Sequence, residues 1–306
     1  MRCSAAPAKV LRPRSSSVFP RERLFLLLDD SLVQPISWIN GPPGIGKTTL
    51  VASWLDARQI HSIWYQVDEG DSDPASFFYY LGLAVQKANP RKRKPLPLLT
   101  SEYVLGIPTF SRRFFENAYD RLIRISDSAS PFVIVFDNCQ EVSEGAEFNK
   151  IINAGIEHVP SGMKFIFISR KDPPETFVRL MANSQMKTIG WDELKFTLDE
   201  SNEMVRLRGY EAVSLEVLGQ LHEKTDGWAA GIVLSLEGAR SGGIESVLSK
   251  MHDSKEISQY FANEIFHREE PAVQDFLLKP TCFHGCLRGW LRPLPETSTP
   301  GASYRT

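Results

Sequence analysis

Short apolar segments alternate with stretches of helical periodicity through the first 194 residues of this chain. The segments predicted as strands are 36–39, 62–67, 132–136, 164–168 and 186–189, and those predicted as helices are 21–30, 49–55, 74–87 and 110–126. The runs at 132–136 and 164–168 are continuously apolar, which is typical of strands buried on both faces of a parallel sheet. Strands that alternate with helices predict βαβ units, and therefore an α/β fold with a parallel sheet covered by helices.

The pattern changes after about residue 194. Three helical stretches with no strand between them follow, at 199–208, 215–224 and 228–240. We expect Asp199 to cap the first of these helices and Gly209 to terminate it. Helical spacing returns over 257–279, but from Pro280 onward Pro, Gly, Thr and Ser dominate and periodicity is lost. A small helical domain is therefore predicted behind the α/β unit.

The turn between the first strand and the next helix matches the phosphate-binding loop (P-loop) pattern G-x-x-x-x-G-K-[ST]. Its residues are Gly41, Pro42, Pro43, Gly44, Ile45, Gly46, Lys47 and Thr48, with Thr49 as the next neighbour. Backbone N–H groups at a helix N-terminus point towards a bound phosphate, and glycine leaves room for its close approach. Lys47 supplies a charge to the β- and γ-phosphates, and the Thr48 hydroxyl is a ligand for Mg²⁺. The alternative is an ordinary Gly-Pro turn before an amphipathic helix.

Three further residues follow predicted strands, whose carboxyl ends line the ligand crevice of an open α/β sheet. Asp137 ends the run at 132–136, where we expect it to hold Mg²⁺ together with Thr48. Asn138 comes next; an amide orients water but cannot take its proton, so slow hydrolysis or none is expected. Alternatively, Asn138 only caps the strand and another residue is the base. Arg170 follows the fourth strand and is predicted to contact the γ-phosphate, the alternative being a surface arginine.

Composition narrows the class of protein. The chain has 306 residues, with 42% hydrophobic and 24% charged residues and a net charge of −2, so no global field favours nucleic acid or an anionic membrane. The four cysteines have no disulfide-type spacing, which indicates a reducing, cytoplasmic location. Cys282 and Cys286 lack the second ligand pair that zinc normally needs. No apolar run has the length of a signal peptide or a membrane span.

These motifs, taken in order, resemble the MalT-like regulators, which are signal-transducing STAND ATPases that include the large LuxR-type transcription activators. The resemblance rests on segments 8–13, 20–24, 41–50, 64–71, 132–137, 168–170, 226–231 and 260–279. It implies that ATP or ADP binds between the α/β and helical domains, and that a closed ADP form alternates with an open, self-assembling ATP form. It also implies that Lys47, Thr48, Asp137 and Arg170 are the Walker A, Walker B and arginine-sensor residues. The family usually has a second Asp where this chain has Asn138.

The resemblance and the patterning together predict the organisation of the chain. We expect a loose lead-in (1–17), a P-loop domain (18–194), a helical lid (195–242), the start of a winged helix (255–279) and an irregular tail (280–306). The tail matches nothing in the family, so a truncation, an altered reading frame or a fragmentary gene model is expected, without the sensor and DNA-binding parts.

The predicted function is an ATP-binding, weakly hydrolysing or non-hydrolysing switch module that uses ATP or ADP with Mg²⁺. We expect self-association in the ATP state, no direct DNA binding and no membrane contact. One alternative is an inert nucleotide-binding or interaction fragment. Another is a P-loop phosphotransferase, which the lack of an Arg-rich lid soon after the Gly loop disfavours.

Overall fold

The structure is a computed structural model that describes residues 7–14, 18–90, 95–100, 106–123, 130–143, 145–210, 213–239 and 244. Its centre is a five-stranded sheet formed by β1 (Ile36–Asn40), β2 (Ser62–Gln66), β3 (Phe132–Asp137), β4 (Met163–Ser169) and β5 (Met186–Ile189). The strands lie in the order β2-β3-β4-β1-β5, and every pairing is parallel. The α/β prediction is therefore confirmed, and strand β4 separates the strand before the P-loop from the strand that ends in Asp137.

Helices connect these strands and continue beyond them. They are α1 (Glu22–Ser31), α2 (Lys47–Ala57), α3 (Pro74–Ala88), α4 (Ile107–Leu122), α5 (Glu147–Ile156), α6 (Val178–Ala182), α7 (Trp191–Leu194), α8 (Leu198–Leu207), α9 (Leu215–Thr225) and α10 (Ala229–Ala239). Helix α3 begins where its sequence predicts, because Pro74 suits the first helical turn and the Asp73 carboxylate accepts from the N–H groups of Ala75 and Ser76. Helices α5, α6 and α7 were not predicted.

Alternating side chains of the strands build a separate core on each face of the sheet. One face is rich in aromatic rings: Phe136 of β3 stacks against Phe165 and Phe167 of β4, and helices α3, α4 and α5 cover it. The opposite face is aliphatic, with residues such as Val135 and Ile168 packed below α1 and α2. A buried Phe or Ile contributes roughly 1.5–3 kcal/mol to folding, so this double coverage fixes the sheet.

The aliphatic core does not stop at the sheet. It continues without a break into α8, α9 and α10, which we call the lid, through residues such as Phe196, Leu221 and Ile232. The lid is thus packed against the side of the sheet that carries α2. Burial of apolar surface, which stabilises the α/β unit, therefore also holds the lid helices on the P-loop side of the sheet.

Two local predictions differ from the structure. Thr197, and not Asp199, caps α8: its hydroxyl accepts from the Glu200 N–H, and the Glu200 carboxylate accepts from the Thr197 N–H. Gly209 follows that helix with φ +88°, as expected of a terminator.

The second difference concerns the lead-in. Residues Ala8–Val10 form a 3₁₀ turn in which Val10 is buried. Lys9 Nζ lies 2.7 Å from Asp68 and 2.9 Å from the buried Asp71, so this part of the lead-in is anchored to the turn after β2. The predicted winged-helix start and tail lie outside the described residues, and the predicted domain boundaries stay predictions.

Candidate nucleotide-binding site

The P-loop connects β1 to α2 in a conformation that its glycines make accessible. Gly44 has φ +76° and Gly46 has φ +91°, both in the left-handed region that side chains with a Cβ avoid. Helix α2 then begins at Lys47, so the loop leads directly into a helix N-terminus. Unpaired N–H groups and the helix dipole at such a terminus favour an anion.

Lys47 is buried, with only 8% of its surface exposed. Its Nζ donates to the carbonyl oxygens of Gly41 at 2.5 Å and Pro42 at 3.0 Å. Burial lowers the pKa of Lys47 to about 8, with a further contribution from the nearby charge of Arg170, while Asp137 acts in the opposite direction. The ammonium group is therefore held inside the loop at a cost that an anion would relieve.

Thr48 and Asp137 meet at the carboxyl edge of the sheet. Thr48 Oγ1 donates to the carboxylate of Asp137, with 3.1 Å to each oxygen. The Asn138 N–H donates to the same carboxylate at 3.0 Å. Burial raises the pKa of Asp137 above its ordinary value, although these two hydrogen bonds and the charge of Lys47 oppose the shift.

These two residues fit a magnesium ion. A hydroxyl and a carboxylate are hard oxygen ligands, and Mg²⁺ in nucleotide sites takes one or two protein oxygens together with phosphates and water. A cation beside Asp137 would also stabilise the charged carboxylate that burial disfavours. Among the described residues, no cluster of three or more His, Cys, Asp or Glu forms a cage able to hold a metal by itself.

Asn138 and Arg170 lie on the same edge and share one neighbour. Asn138 has a left-handed φ of +63°, which Asn tolerates better than most residues. The Gln140 amide group donates to Asn138 Oδ1 at 3.5 Å, and Gln140 Oε1 accepts from the Arg170 N–H at 3.1 Å. Gln140 therefore ties the end of β3 to the end of β4. Sequence reasoning missed it, because its contacts cross between strands.

The other predicted loop residues divide by exposure. Ile45 is fully buried in the aliphatic core and anchors the loop, while Thr49 is exposed on the first turn of α2. Pro42, Pro43 and Gly46 are half-buried. Asp68 caps the 3₁₀ turn that follows β2, where its carboxylate accepts from the Gly70 N–H at 3.0 Å.

The lid contacts the P-loop directly. Trp228 Nε1 donates to the Pro43 carbonyl at 3.0 Å, and the Ala230 N–H donates to the Gly44 carbonyl at 2.9 Å. Trp228 is buried at this contact. Sequence patterning alone assigned Trp228 no special role, although it belongs to the segment 226–231 that carries part of the resemblance.

A second connection joins the lid to the helix ahead of β1. Arg21 donates to the carbonyls of Leu194 and Lys195, both at 2.7 Å, and to the Glu200 carboxylate at 2.8 Å. Arg23 reaches the same carboxylate at 3.2 Å. Burial alone would raise the pKa of Glu200, but the hydrogen bonds from Arg21, from the Thr197 N–H and from Arg23 outweigh it and hold that pKa below its ordinary value.

A separate cavity of about 670 Å³ lies at the opposite, amino-terminal end of the strands, lined by residues that include Pro35, Lys164 and Gln185. It is remote from Lys47 and Asp137 and takes no part in the candidate site. Within the described part of the chain, no helix has the length and apolar character needed to cross a bilayer.

A strand, a glycine loop and a helix, with the loop threonine bonded to an aspartate at the end of a buried strand, define a P-loop NTPase fold. The family model described as "Nephrocystin 3, N-terminal" matches residues 21–170. A Walker-type ATPase of Pyrococcus abyssi superposes with a TM-score of 0.59 at 18% identity, covering 88% of this chain and 81% of that one.

Curated relatives show which kind of P-loop protein the chain resembles. The chain is 25% identical over 280 residues to the HTH-type transcriptional regulators MalT of Serratia proteamaculans and Yersinia enterocolitica. Each alignment covers 89% of this chain and 30% of the relative. The predicted resemblance to MalT-like STAND ATPases is thereby confirmed. The chain spans less than a third of the length of these relatives.

Proposed function

We propose that this chain is an adenine-nucleotide-binding switch module of a MalT-like transcriptional regulator, with slow ATP hydrolysis or none. The observation that carries the proposal is the convergence of Lys47 and Thr48, at the start of α2, with Asp137 at the end of β3. In that arrangement Lys47 neutralises phosphate charge, and Thr48 and Asp137 hold Mg²⁺, which screens the phosphates. Arg170, whose charge already acts on Lys47, contacts the γ-phosphate and so distinguishes ATP from ADP.

Slow turnover follows from the chemistry of Asn138. A side-chain amide orients water but does not accept its proton, so this position lacks a general base. The module would then reside in its ATP-bound form long enough for self-association to act as the readout. The relatives are named as transcriptional regulators, and regulation of transcription by this protein is part of the proposal.

The energetics require the lid to take part. A ligand at 100 times its Kd stabilises the state it binds by about 2.7 kcal/mol, whereas inverting a 1:99 equilibrium needs about 5.5 kcal/mol of differential affinity. Phosphate contacts alone are therefore a marginal switch. The hydrogen bonds between the P-loop and α10 supply a route by which lid packing adds to the difference.

The test is a titration of the protein with ATP and ADP, each with Mg²⁺ or with EDTA, in wild type and in Lys47→Ala. We expect micromolar binding by wild type and a loss of at least about 100-fold in the variant, since a buried charge that faces phosphate is removed. Lys150→Ala is the matched control, because Lys150 is an exposed lysine on α5 that pairs with Glu147. Wild-type affinity in folded Lys47→Ala would refute the assignment of the site.

A further inference from the structure

Four consecutive carbonyl groups of the P-loop have hydrogen-bond donors, and the donors come from two different parts of the molecule. Lys47 donates to the first two, those of Gly41 and Pro42. The lid donates to the next two: Trp228 Nε1 to Pro43 and the Ala230 N–H to Gly44. The second half of the loop is therefore held by a segment more than 180 residues away in the chain.

Close packing surrounds the two lid contacts. A Cβ placed on Gly44 would lie 2.6 Å from Ala230 Cβ and 3.1 Å from Trp228 Cζ2. On the far side of the indole, a Cβ on Gly231 would lie 2.6 Å from Trp228 Cε3. The indole is thus seated between two glycines, which leaves its Nε1 a single direction in which to donate. The packing around the indole therefore orients it independently of its hydrogen bond to Pro43.

These bonds orient the peptide groups of the loop. In a trans peptide the carbonyl of one residue and the N–H of the next point in opposite directions, and the described residues contain no cis peptide. With the Pro43 and Gly44 carbonyls held towards α10, the N–H groups of Gly44 and Ile45 face away from the lid. Successive N–H groups on that concave side of a P-loop are the ones that cradle phosphates.

We propose that Trp228 is a positioning residue for phosphate binding: its indole N–H fixes the Pro43–Gly44 peptide so that the loop presents its N–H groups before the anion arrives. This inference rests on the proposed nucleotide-binding function and deepens it. Under this inference lid docking and phosphate binding are coupled. A docked lid raises the affinity for phosphate, and bound phosphate favours lid docking by the same factor. Lys47, which would leave the Gly41 and Pro42 carbonyls to meet phosphate, acts on the other half of the loop.

The test compares Trp228→Phe with Trp54→Phe. Trp54 also has a buried indole, and its Nε1 donates to Asp29 at 2.8 Å, on the side of α2 that faces α1. Each variant loses one part-buried indole hydrogen bond, so both should lose thermal stability, and Trp54→Phe at least as much, because its acceptor is a carboxylate. Only Trp228→Phe should weaken binding of Mg·ATP, by about tenfold, as measured by titration calorimetry.

Tripolyphosphate, which has no base or sugar, isolates the phosphate contribution. We expect Trp228→Phe to weaken tripolyphosphate and ATP by the same factor. Loss of ATP affinity with unchanged tripolyphosphate affinity would overturn the inference, because Trp228 would then act on the nucleoside. Equal affinities in Trp228→Phe and Trp54→Phe would overturn it as well.

The titrations already described and one further measurement separate failure of this inference from failure of the proposed function. If wild type binds no ATP, the proposed function fails first; if wild type binds and Lys47→Ala does not, a null result for Trp228→Phe defeats this inference alone. If Trp228→Phe does not fold, hydrogen exchange in wild type replaces it. Coupling requires tripolyphosphate to slow exchange in residues 228–239, and unchanged exchange there at saturation would overturn the proposal.

Discussion

Thr48 Oγ1 lies 3.1 Å from both carboxylate oxygens of Asp137, although 89 residues separate the two in sequence. The contact joins the start of α2 to the end of β3 across the intervening strand β4. Because Asp137 is buried, its pKa is raised, and the folded protein therefore stabilises the charged carboxylate less well than water does. A divalent cation beside this pair would stabilise the charged carboxylate and so offset the cost of burying it.

The first prediction concerns Asp137→Asn. For a carboxyl whose folded pKa is raised, stability falls as pH rises from its ordinary pKa through the folded value, because the folded state binds more protons there. The neutral amide removes that loss, so urea denaturation at pH 7 without nucleotide should give a higher free energy of unfolding than wild type. Affinity for ATP should fall by about tenfold in Mg²⁺ and change little in EDTA. An undiminished effect of Mg²⁺ would contradict the role given to Asp137.

The second prediction uses the pKa of Lys47, which burial lowers to about 8. Free protein at pH 9 has only about a tenth of Lys47 protonated, so the Kd for ATP should be about tenfold higher than at pH 7, with proton uptake on binding. Stability without ligand should change in the other direction, rising from pH 8 towards the ordinary lysine pKa as the buried charge is lost. Calorimetry in buffers of different ionisation enthalpy measures the uptake. Lys47→Arg is the control, and its affinity should not depend on pH over this range.

A third prediction addresses turnover. Asn138→Asp introduces a carboxylate that accepts a proton, at a left-handed φ that Asp also tolerates. We expect phosphate release from ATP to rise by about 100-fold. Asn138→Ala removes the amide without adding a base, and its rate should equal or fall below that of wild type. A rate unaffected by Asn138→Asp would assign the base to another residue.

The fourth prediction separates backbone strain from lid contact. Gly44 and Gly46 both have a positive φ, but a Cβ on Gly46 meets nothing within 4 Å, whereas one on Gly44 meets Ala230 at 2.6 Å. Gly46→Ala should cost about 1–2 kcal/mol of stability from strain alone. Gly44→Ala should cost about 1–3 kcal/mol more, because it also displaces the lid. Chemical denaturation measures both, and equal losses would mean that the lid yields freely.

Much of the α/β unit could be predicted because its signals are local. The five strands lie within a residue or two of their predicted bounds, since short apolar segments mark them. Helix α5 was missed, although it has an apolar face that packs on the aromatic core. The order of strands was not predictable at all, because pairing depends on contacts between distant segments. The sequence does contain the signal for Thr197 as the cap of α8, since Glu200 completes a capping box with it.

The residues of the candidate site also differ in whether the sequence predicts their contacts. Lys47, Thr48 and Asp137 come together as their motifs predict, because a glycine loop and a strand end fix where each side chain lies. The contacts of Gln140 and Trp228 were not predictable from patterning, because each bridges elements that only the folded chain brings together. Motifs therefore predict the residues of the candidate site better than the residues that hold the P-loop and the strand ends in place.

The bonds from Arg21 to Glu200 and to the Leu194 and Lys195 carbonyls bear on how the protein can be dissected. A fragment starting at Leu24, within α1, would keep every residue of the P-loop motif. It would nevertheless strand a shielded carboxylate and two backbone oxygens, a loss of several kcal/mol. A shortened protein should therefore keep Arg21, because this residue ahead of α1 holds a lid helix that lies about 180 residues later in the chain.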